Sequence, residues 1–538
     1  MSGSNPTNSD YEAEGELSEE FTGGNGIVRG AVDKSKEVNI QIEKLSDPLA
    51  KQLFGLPYND SGNAKRLVAR YSDDLIYVTD VGWHHWTGTH WSIVGGHDSA
   101  MIYADETAQK IENEVRYLRT NGAYYDETES QFKERAKKLK NWAISSGNVS
   151  RIDGMIKISQ PYLTEFPQEL DRNPQLLNLK NGTLVLEGVC QNLHPHDRTQ
   201  RITGVLPIEY DPEATAPEFY RFLNRIQPLQ ERQIFLQKLV GCCLTGLTRE
   251  QAIFFFYGDG ANGKSVFLNC LAGILGDYCQ TLPFESIQHN SRRSGGDATP
   301  DLARLVGSRL VRISEPEKGA RFSEGQLKSL TGGEPISVRK LFKEGFEYTP
   351  EFKIILSGNF RPEIRGNDHG IWRRMVLVPF EEVLSEHEQV PDLDKKLIAK
   401  EAPGILNWAL DGLRMYLEEG LTLPPSIKSA VEMYQDENNP VGRFVSQNLI
   451  YDPGQEISAK VMYESYLRWC DANNEKSWKQ RSFGMELNSI RIGPNNIPIE
   501  NLRKRSSQLN GAKIYVDLKL AEGEVHDNSY GKSDDSEQ

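Results

Sequence analysis

The sequence predicts an α/β protein with three folded parts: a central α/β core, an α/β domain before it and a winged-helix-like module after it. The core is predicted from residues 225–384, where helical and strand patterns alternate. Within the core, residues 252–257 form an apolar run of the kind that buried parallel strands show. The C-terminal module is predicted from two helical patterns followed by a late strand over residues 513–518.

The composition is that of a globular protein. Its 538 residues are 38% hydrophobic and 26% charged, and this length suggests about three or four domains. No apolar run approaches the roughly 20 residues that a membrane span needs. The polar, acidic N-terminus excludes a secretory signal. The six cysteines show no zinc or disulfide spacing, so we expect a reducing cytoplasm.

The net charge of −14 bears on the class of partner. It argues against a protein that coats DNA, because phosphate contacts need Lys and Arg. A ring that encloses DNA needs positive charge only along its channel, and an acidic exterior keeps such a ring in solution. The charge therefore weighs against general DNA coating more than against a ring.

The chain before the core is predicted to hold a disordered leader, residues 1–45, and an α/β domain, residues 46–224. The aromatic run at 81–91 indicates short strands around a glycine turn. A polar helix is predicted over residues 100–145. Residues 177–186 place two apolar strands around Asn-Gly, which predicts a hairpin.

The strand at 252–257 leads into the loop Gly-Asp-Gly-Ala-Asn-Gly-Lys-Ser, and a helical pattern follows over 266–275. This is the P-loop pattern in the strand–loop–helix context that it requires, which argues against a chance glycine-rich turn. Glycines let backbone N–H groups surround phosphate, and the helix N-terminus favours negative charge. Lys264 is expected to reach the β- and γ-phosphates of ATP, and Ser265 to coordinate Mg²⁺. The predicted nucleotide-binding residues are Gly258, Asp259, Gly260, Ala261, Asn262, Gly263, Lys264 and Ser265.

Two acidic residues follow the strand predicted at 309–313. ATP hydrolysis needs one acid to hold Mg²⁺ and another to polarise the attacking water. Glu315 and Glu317 lie at the end of this strand, where open α/β sheets place their ligands. Glu315 is assigned to the metal and Glu317 to the water, with the reverse assignment left open. Two solvated loop glutamates are the alternative.

Two further motifs downstream complete the candidate catalytic set. The strand at 352–356 ends near Asn359, which could hydrogen-bond the γ-phosphate or the attacking water. Arg373 and Arg374 precede another strand, and an arginine donated across a subunit boundary can stabilise phosphoryl-transfer charge. One of the two is predicted to be such a finger and the other a structural ion-pair partner. A structural role for both is the alternative.

The stretch 330–348 lies between the acidic strand and the Asn359 strand and is predicted to form a hairpin. Its basic and aromatic side chains could grip a phosphate backbone and contact bases. An ordinary exposed hairpin explains the pattern equally well. The candidate DNA-binding residues are Arg339, Lys340, Phe342 and Lys343.

After the core we expect a helical extension over 385–438, the winged-helix-like module over 439–521 and a disordered tail over 522–538. Arg503, Lys504 and Arg505, near the last strand, are a candidate DNA contact of the module. The histidines of 84–85 and 194–196 are expected to be structural, with metal binding as the less favoured alternative.

Taken in order, these motifs resemble the superfamily 3 helicases, and most closely the primase-helicases of phages and plasmids with their satellite-phage and poxvirus relatives. The ordered set is specific, although the P-loop alone is shared by many families. Residues 60–64, 83–91 and 177–182 resemble the domain before the helicase, and 438–442 with 463–470 resembles the C-terminal module. The core motifs are GDGANGKS at 258–265, SEPE at 314–317, TGGEPISVRKLF at 331–342, ILSGN at 355–359 and GIWRR at 370–374.

The resemblance implies an AAA+-like core, a homo-hexameric ring and 3′-to-5′ travel on single-stranded DNA in the replication of a phage, plasmid or other mobile element. It places the protein in the cytoplasm of a bacterial or archaeal host. It assigns Lys264 and Ser265 to the P-loop pair, Glu315 and Glu317 to the acidic pair, Asn359 to the sensor, Lys340 to a pore contact and Arg373 or Arg374 to the finger.

One departure from the resemblance concerns priming. Many relatives carry a primase domain before the helicase, whereas only about 50 residues precede the shared region here, without a polymerase-type carboxylate cluster. The sequence therefore predicts a helicase that works with ATP and Mg²⁺ at replication forks, beside a separate primase or host replication proteins. An origin-binding initiator that uses ATP mainly to assemble is the first alternative, and an ATPase that remodels proteins is the second.

Overall fold

The computed structural model of the protein describes residues 47–122, 124, 126–187, 192–289, 298–341, 344–362, 364, 369–505 and 513–521. The predicted leader and tail lie outside these residues. The helices are α1 (Ala50–Leu53), α2 (Asp60–Tyr71), α3 (Gly96–Asn121), α4 (Glu129–Ser146), α5 (Val149–Ser159), α6 (Pro217–Ile226), α7 (Gln230–Cys243), α8 (Lys264–Leu275), α9 (Pro300–Ala303), α10 (Glu324–Thr331), α11 (His369–Trp372), α12 (Leu393–Glu419), α13 (Pro425–Glu437), α14 (Pro440–Asn448), α15 (Ala459–Ala472) and α16 (Gln480–Ser489).

Strands alternate with these helices along the chain. They are β1 (Leu75–Val78), β2 (Gly82–Trp86), β3 (Trp91–Ser92), β4 (Thr164–Glu165), β5 (Leu176–Leu179), β6 (Gly182–Val185), β7 (Asn192–His194), β8 (Ile253–Tyr257), β9 (Cys279–Leu282), β10 (Leu310–Ile313), β11 (Ile336–Arg339), β12 (Gly345–Tyr348), β13 (Lys353–Gly358), β14 (Met375–Pro379), β15 (Leu449–Ser458), β16 (Arg491–Ile492), β17 (Ile497–Pro498), β18 (Arg503–Arg505) and β19 (Lys513–Leu520). Among the helices in the described ranges, none is both long and apolar enough to cross a membrane.

The core is a five-stranded parallel sheet in the order β14-β8-β13-β10-β9. The P-loop strand β8 lies between β13 and β14. Because all five strands are parallel, the loops that follow β8, β10 and β13 leave from the same edge, where such sheets bind ligands. The predicted fold class, a mixed α/β protein with a P-loop-like core, is confirmed.

Side-chain alternation along β8 builds an apolar layer on each face of this sheet. Phe254 and Phe256 pack with residues of α6, α7, α8 and α12. Ile253 and Phe255 pack with residues of α9, α10, β11, β12 and α13. Successive side chains of a strand point to opposite faces, so a sheet covered on both faces needs a continuous apolar run. The apolar run at 252–257 is therefore explained by a strand that is covered on both faces of the sheet.

The N-terminal part contains a four-stranded sheet in the order β3-β2-β1-β4, beside helices α2, α3 and α5. A fully buried ion pair of 2.8 Å joins Arg66 of α2 to Glu114 of α3. The single polar helix expected over 100–145 is in fact two helices, α3 and α4. The break has a local cause, because Thr128 and Gln131 form a capping box that starts α4.

The hairpin predicted at Asn-Gly is confirmed, with Leu179 of β5 opposite Gly182 of β6. Its buried residues do not pack with α2, α3 and α5. Leu177 and Leu184 belong instead to the apolar layer of α7, α8 and α12. The apolar packing of the core thus extends to residues on the N-terminal side of the predicted boundary at 224.

The C-terminal module has a core of its own, drawn from residues 441–518. Its elements follow the order α14, β15, α15, α16, β16, β17, β18, β19. Three of the strands pair as β15-β19-β18, and β16 pairs with β17. Three helices and a three-stranded antiparallel sheet thus share one core in the region where the sequence predicts a winged-helix-like module. Strand β15 was not predicted from the sequence.

Candidate functional site

The glycine-rich loop joins β8 to α8. Gly258 has a φ of +152° and Gly263 a φ of +80°. A Cβ on Gly258 would lie 2.1 Å from the carbonyl oxygen of Phe380, and one on Gly263 would lie 2.5 Å from the side chain of Ile226. Both positions therefore require glycine. Within the described chain, the backbone N–H groups of residues 260–263 have no protein acceptor, which is the donor arrangement of a phosphate cradle.

Lys264 begins α8 and turns its ammonium group back over the loop. Nζ donates to Oδ1 of Asn262 at 3.1 Å, to Oδ1 of Asn359 at 3.3 Å and to the carbonyl oxygen of Gly258. Burial lowers the pKa of Lys264, while the carboxylates of Glu315 and Asp259 oppose this shift. A buried ammonium group beside N–H groups that have no acceptor fits the phosphates of a nucleoside triphosphate.

Glu315 and Asn359 lie together because their strands are neighbours. β10 and β13 pair in parallel with Ile313 opposite Leu356, so the residues after each strand meet. The backbone N–H of Asn359 donates to Oε1 of Glu315 at 2.8 Å. Lys264, Glu315 and Asn359, predicted from three separate motifs, thus lie at one edge of the sheet.

Ser265 and Glu317 flank this group with exposed side chains. Ser265 is in the first turn of α8, and Glu317 opens a turn in which its carbonyl oxygen accepts from the N–H of Ala320. In the described ranges, no group of three or more His, Cys, Asp or Glu side chains could hold a metal. A Mg²⁺ held by Ser265 and Glu315 would complete its shell with phosphate oxygens and water, as Mg²⁺ commonly does.

Arg373 and Arg374 lie at the opposite edge of the sheet. β14 begins at Met375, opposite Ile253 at the start of β8, whereas the P-loop follows the end of β8. Arg374 is buried, and its guanidinium donates to Oγ1 of Thr331 at 3.2 Å and to the carbonyl oxygen of Gly370 at 2.6 Å. Arg373 is exposed and donates to Oε1 of Gln251 at 3.2 Å. The two arginines are therefore separated from Lys264 by the length of a strand.

The hairpin predicted between the acidic strand and the Asn359 strand is present as β11 and β12, with Arg339 opposite Gly345. The apolar side chains within its two strands are buried, whereas Arg339 and Leu341 are exposed. Nζ of Lys340, at the tip, lies 3.5 Å from the carbonyl oxygen of Val81 in the N-terminal part. Two further predicted contacts, Phe342 and Lys343, lie outside the described residues.

Sequence reasoning missed Lys318, Phe360 and Arg361, which lie beside the edge that carries Lys264. Nζ of Lys318 lies 5.9 Å from the ring centre of Phe360, which links the loop after β10 to the loop after β13. Arg361 stacks over Tyr257 at 5.3 Å and pairs with Glu437 of α13 at 3.0 Å. No local pattern points to these contacts, because they depend on which strands are neighbours.

The histidine-rich segments are held by ordinary hydrogen bonds. His84 is buried, and its Nδ1 lies 3.1 Å from the carbonyl oxygen of Gly82. Burial lowers the pKa of His84 to about 4. Nδ1 of His196 lies 2.9 Å from Oδ1 of Asn178. These contacts give both histidines a structural role.

Three parts of the chain match models of known protein families. The model described as D5 N terminal like matches residues 64–228, and the model described as Poxvirus D5 protein-like matches residues 436–504. Both models describe D5-like proteins, so the chain is similar to the D5-like primase-helicases over these two stretches. A third match, to a family of unknown function (DUF5906), covers residues 256–374 of this D5-like protein and so contains the P-loop, both glutamates, Asn359 and both arginines.

Curated relatives of the D5-like chain come from large DNA viruses. A protein provisionally named a helicase in Acanthamoeba polyphaga mimivirus is 26% identical over 80% of this chain and 48% of its own length. Another, from Invertebrate iridescent virus 3, is 23% identical over 76% of this chain and 50% of its own length. A protein provisionally named a primase in African swine fever virus is 21% identical over 65% of this chain and 38% of its own. The chain thus spans about half the length, or less, of these relatives.

The solved structure of the C-terminal region of NrS-1 aligns with 58% of this D5-like chain and 78% of its own length, at 13% identity and a TM-score of 0.37.

Proposed function

We propose that this D5-like protein is an ATP-driven DNA helicase of genome replication that acts as a ring on single-stranded DNA. The observation that carries the proposal is the meeting of Lys264, Glu315 and Asn359 at the sheet edge that follows the P-loop. A cation, an acid and an amide at one edge are the groups that phosphoryl transfer requires of a protein. The family, with relatives named for helicase and primase roles, supports DNA as the substrate.

Each residue then has a defined task. Lys264 exchanges its contacts with Asn262 and Asn359 for phosphate oxygens, and residues 258–263 surround the phosphates through backbone N–H groups. Ser265 and Glu315 would hold a Mg²⁺ ion, which would neutralise charge on the phosphates. Glu317 orients the attacking water, and Asn359 reports the state of the γ-phosphate through its hydrogen bond to Glu315. Arg339, Lys340 and the hairpin residues Phe342 and Lys343 contact DNA.

The position of the arginines supports a ring. A five-residue strand spans about 16 Å, so Arg373 lies that far across the sheet from its own P-loop. An exposed Arg373 at this opposite edge can serve only the nucleotide of a neighbouring copy. Arg374, buried and hydrogen-bonded within its own chain, is the structural member of the pair.

The proposal is tested by ATP hydrolysis and strand displacement with the purified full chain. We expect single-stranded DNA to stimulate hydrolysis and a forked duplex to be unwound only with ATP and Mg²⁺. Lys264→Ala should lose nucleotide binding. Glu317→Gln should bind ATP but hydrolyse it at least about 100-fold more slowly, because the water loses its base.

Two outcomes would contradict the proposal. ATP-dependent assembly on duplex DNA without strand displacement would identify an initiator instead of a motor. Full turnover by Glu317→Gln would show that the two glutamates have been given the wrong tasks, and Glu315→Gln would then be the hydrolysis-deficient variant.

A further inference from the structure

The C-terminal module holds α16 on its surface by one side only. Phe483 of α16 stacks on Tyr466 of α15 at 4.6 Å and lies 6.2 Å from Phe444 of α14. Phe483 and Leu487, one turn apart, are buried in this core. The other side of α16 carries exposed Arg481 and Met485. The module therefore presents a rigidly seated polar helix to solvent.

A groove runs between the exposed side of α16 and the strands β18 and β19. It encloses about 480 Å³ and is lined by Gln480, Arg481, Met485, Asn488, Arg503 and Lys513, among others. Three of these six side chains are cations, and none of the lining residues is acidic. Asn488 is held in place by the hydroxyl of Tyr515 at 3.4 Å. The lining of the groove therefore carries three positive and no negative side chains.

The positive charge is concentrated here against the trend of the chain. Residues 476–519 carry nine Lys and Arg but only three Asp and Glu, in a chain of net charge −14. Arg503 and Arg505 alternate along β18 and so share a face, with Lys513 paired opposite Arg505. Throughout the described part of the chain, Arg481, Arg503, Arg505 and Lys513 have no ion-pair partner.

We propose that this groove binds duplex DNA, with α16 in the major groove and Arg503, Arg505 and Lys513 on the phosphates. The major groove of B-DNA is about 12 Å wide and admits one α-helix. Arg481, Asn488 and Met485 would face base edges, where arginine and asparagine can make paired hydrogen bonds and an apolar side chain can contact a thymine methyl. The site is separate from the ATPase edge and the hairpin.

The absence of exposed rings argues for a duplex over a single strand. Single strands are bound by stacking bases on aromatic side chains. In this groove both aromatic residues, Phe483 and Tyr515, are buried. A surface of cations and amides without a stacking platform matches the phosphate rows of a double helix.

The test is equilibrium binding of the full-length protein to a fluorescent duplex of about two helical turns, without nucleotide. We expect Arg503→Glu/Arg505→Glu to weaken duplex binding at least about 10-fold. The slope of log affinity against log salt should also fall by about 2, since two phosphate contacts are lost. Lys137→Glu/Lys140→Glu on α4 makes the same charge change on exposed side chains elsewhere and should leave binding unchanged.

The readout needs no ATP, so it separates this site from the proposed motor. The milder Arg503→Gln/Arg505→Gln tests the same contacts if charge reversal unfolds the module. Duplex binding equal to that of the parent in both variants would overturn the proposal. A second outcome would also overturn it: the parent binds a single strand more tightly than a duplex, and the variants lose both kinds of binding. The groove would then be a single-strand site.

Discussion

Arg373 and Arg374 are adjacent in sequence but face different surroundings. The Arg374 guanidinium is buried against Thr331 and Gly370, which ties the hairpin side of the core to the start of β14. Arg373 points to the surface, where Gln251 is its hydrogen-bond partner. A finger must reach a nucleotide on another subunit, and only an exposed side chain can do so.

Subunit mixing tests this division of tasks. Arg373→Ala and Lys264→Ala should each abolish ATP hydrolysis when pure. A 1:1 mixture should regain activity at about a quarter of the interfaces, those that join an intact Lys264 to an intact Arg373 across a symmetric ring. The rate is measured as a function of mixing ratio. A mixture with no activity, from proteins that still assemble, would rule out a shared site.

Arg374→Ala serves as the contrasting variant. It removes the buried guanidinium that donates to Oγ1 of Thr331 and to the carbonyl oxygen of Gly370, so we expect a loss of about 1–3 kcal/mol in the free energy of unfolding. Arg373→Ala should leave the unfolding midpoint unchanged.

Glu351 is a second residue with a measurable consequence. It lies in the loop between β12 and β13, and burial raises its pKa to about 7, with Arg309 opposing and Asp171 adding to the shift. A folded pKa above the unfolded value of 4.5 means that the folded chain holds this proton more tightly. The stability present below pH 4.5 is therefore lost as the pH rises to about 7.

Thermal unfolding of Glu351→Gln tests this sign. Because Gln cannot ionise, the variant should gain stability over the parent at pH 8 and show a smaller gain, or none, at pH 5. Glu347→Gln, at an exposed position on β12, is the matched control and should show no such pH dependence. Equal effects of Glu351→Gln at both pH values would contradict the raised pKa.

At the scale of elements, the proposed function assigns the hairpin β11–β12 the task of coupling DNA to ATP. It is inserted between β10 and β13. Glu315 follows β10 and Asn359 follows β13, and a hydrogen bond of 2.8 Å joins these two residues. Its buried residues pack on the face of the sheet opposite α8. In the proposed motor, a movement of the hairpin would therefore act on β10 and β13, the strands that Glu315 and Asn359 follow.

Charge reversal in the hairpin should separate the two activities. Arg339→Glu/Lys340→Glu is expected to abolish strand displacement and DNA stimulation, because phosphate contacts are lost, while basal ATP hydrolysis stays within about twofold. Arg339→Glu alone, which spares the Lys340 contact with Val81, should give the same result. Normal unwinding by the double variant would show that DNA is gripped elsewhere.

The elements predicted correctly are those with strong local signals. β8, α8, β10, β13 and the hairpin lie where the patterns place them, because continuous apolar runs and a P-loop depend on neighbours in sequence. β15 was missed for a physical reason. Residues 452–454 are Asp-Pro-Gly, a turn signal, and they lie in an irregularity of the β15–β19 pairing between Tyr451 and Glu456.

The whole molecule contains information that local patterns lack. Lys264, Glu315 and Asn359 could be brought together from sequence, because each follows a parallel strand. The contacts of Lys318 with Phe360 and of Arg361 with Glu437 could not, since they depend on strand order and on where α13 packs. The same holds for β5–β7, whose apolar residues pack on the core although they precede it by many residues.

Charge is also organised at this scale. Residues 476–519 carry a net +6, so the rest of the chain carries −20. Such a distribution repels DNA from most of the surface and leaves a few positive places where contact is favourable. This pattern is consistent with the prediction that the net charge weighs against a protein that coats DNA.

The hydrogen bond from Asn359 to Glu315 has a thermodynamic consequence. It joins the two ends of the segment between Glu315 and Asn359. This segment contains the hairpin, and Asn359 at its end contacts Lys264. If DNA binding at the hairpin changes the affinity for ATP by some factor, ATP must change the affinity for DNA by the same factor. The Kd of ATP with and without DNA, and the Kd of DNA with and without ATP, must therefore change by the same factor. The coupling free energy calculated from that factor measures the strength of this link.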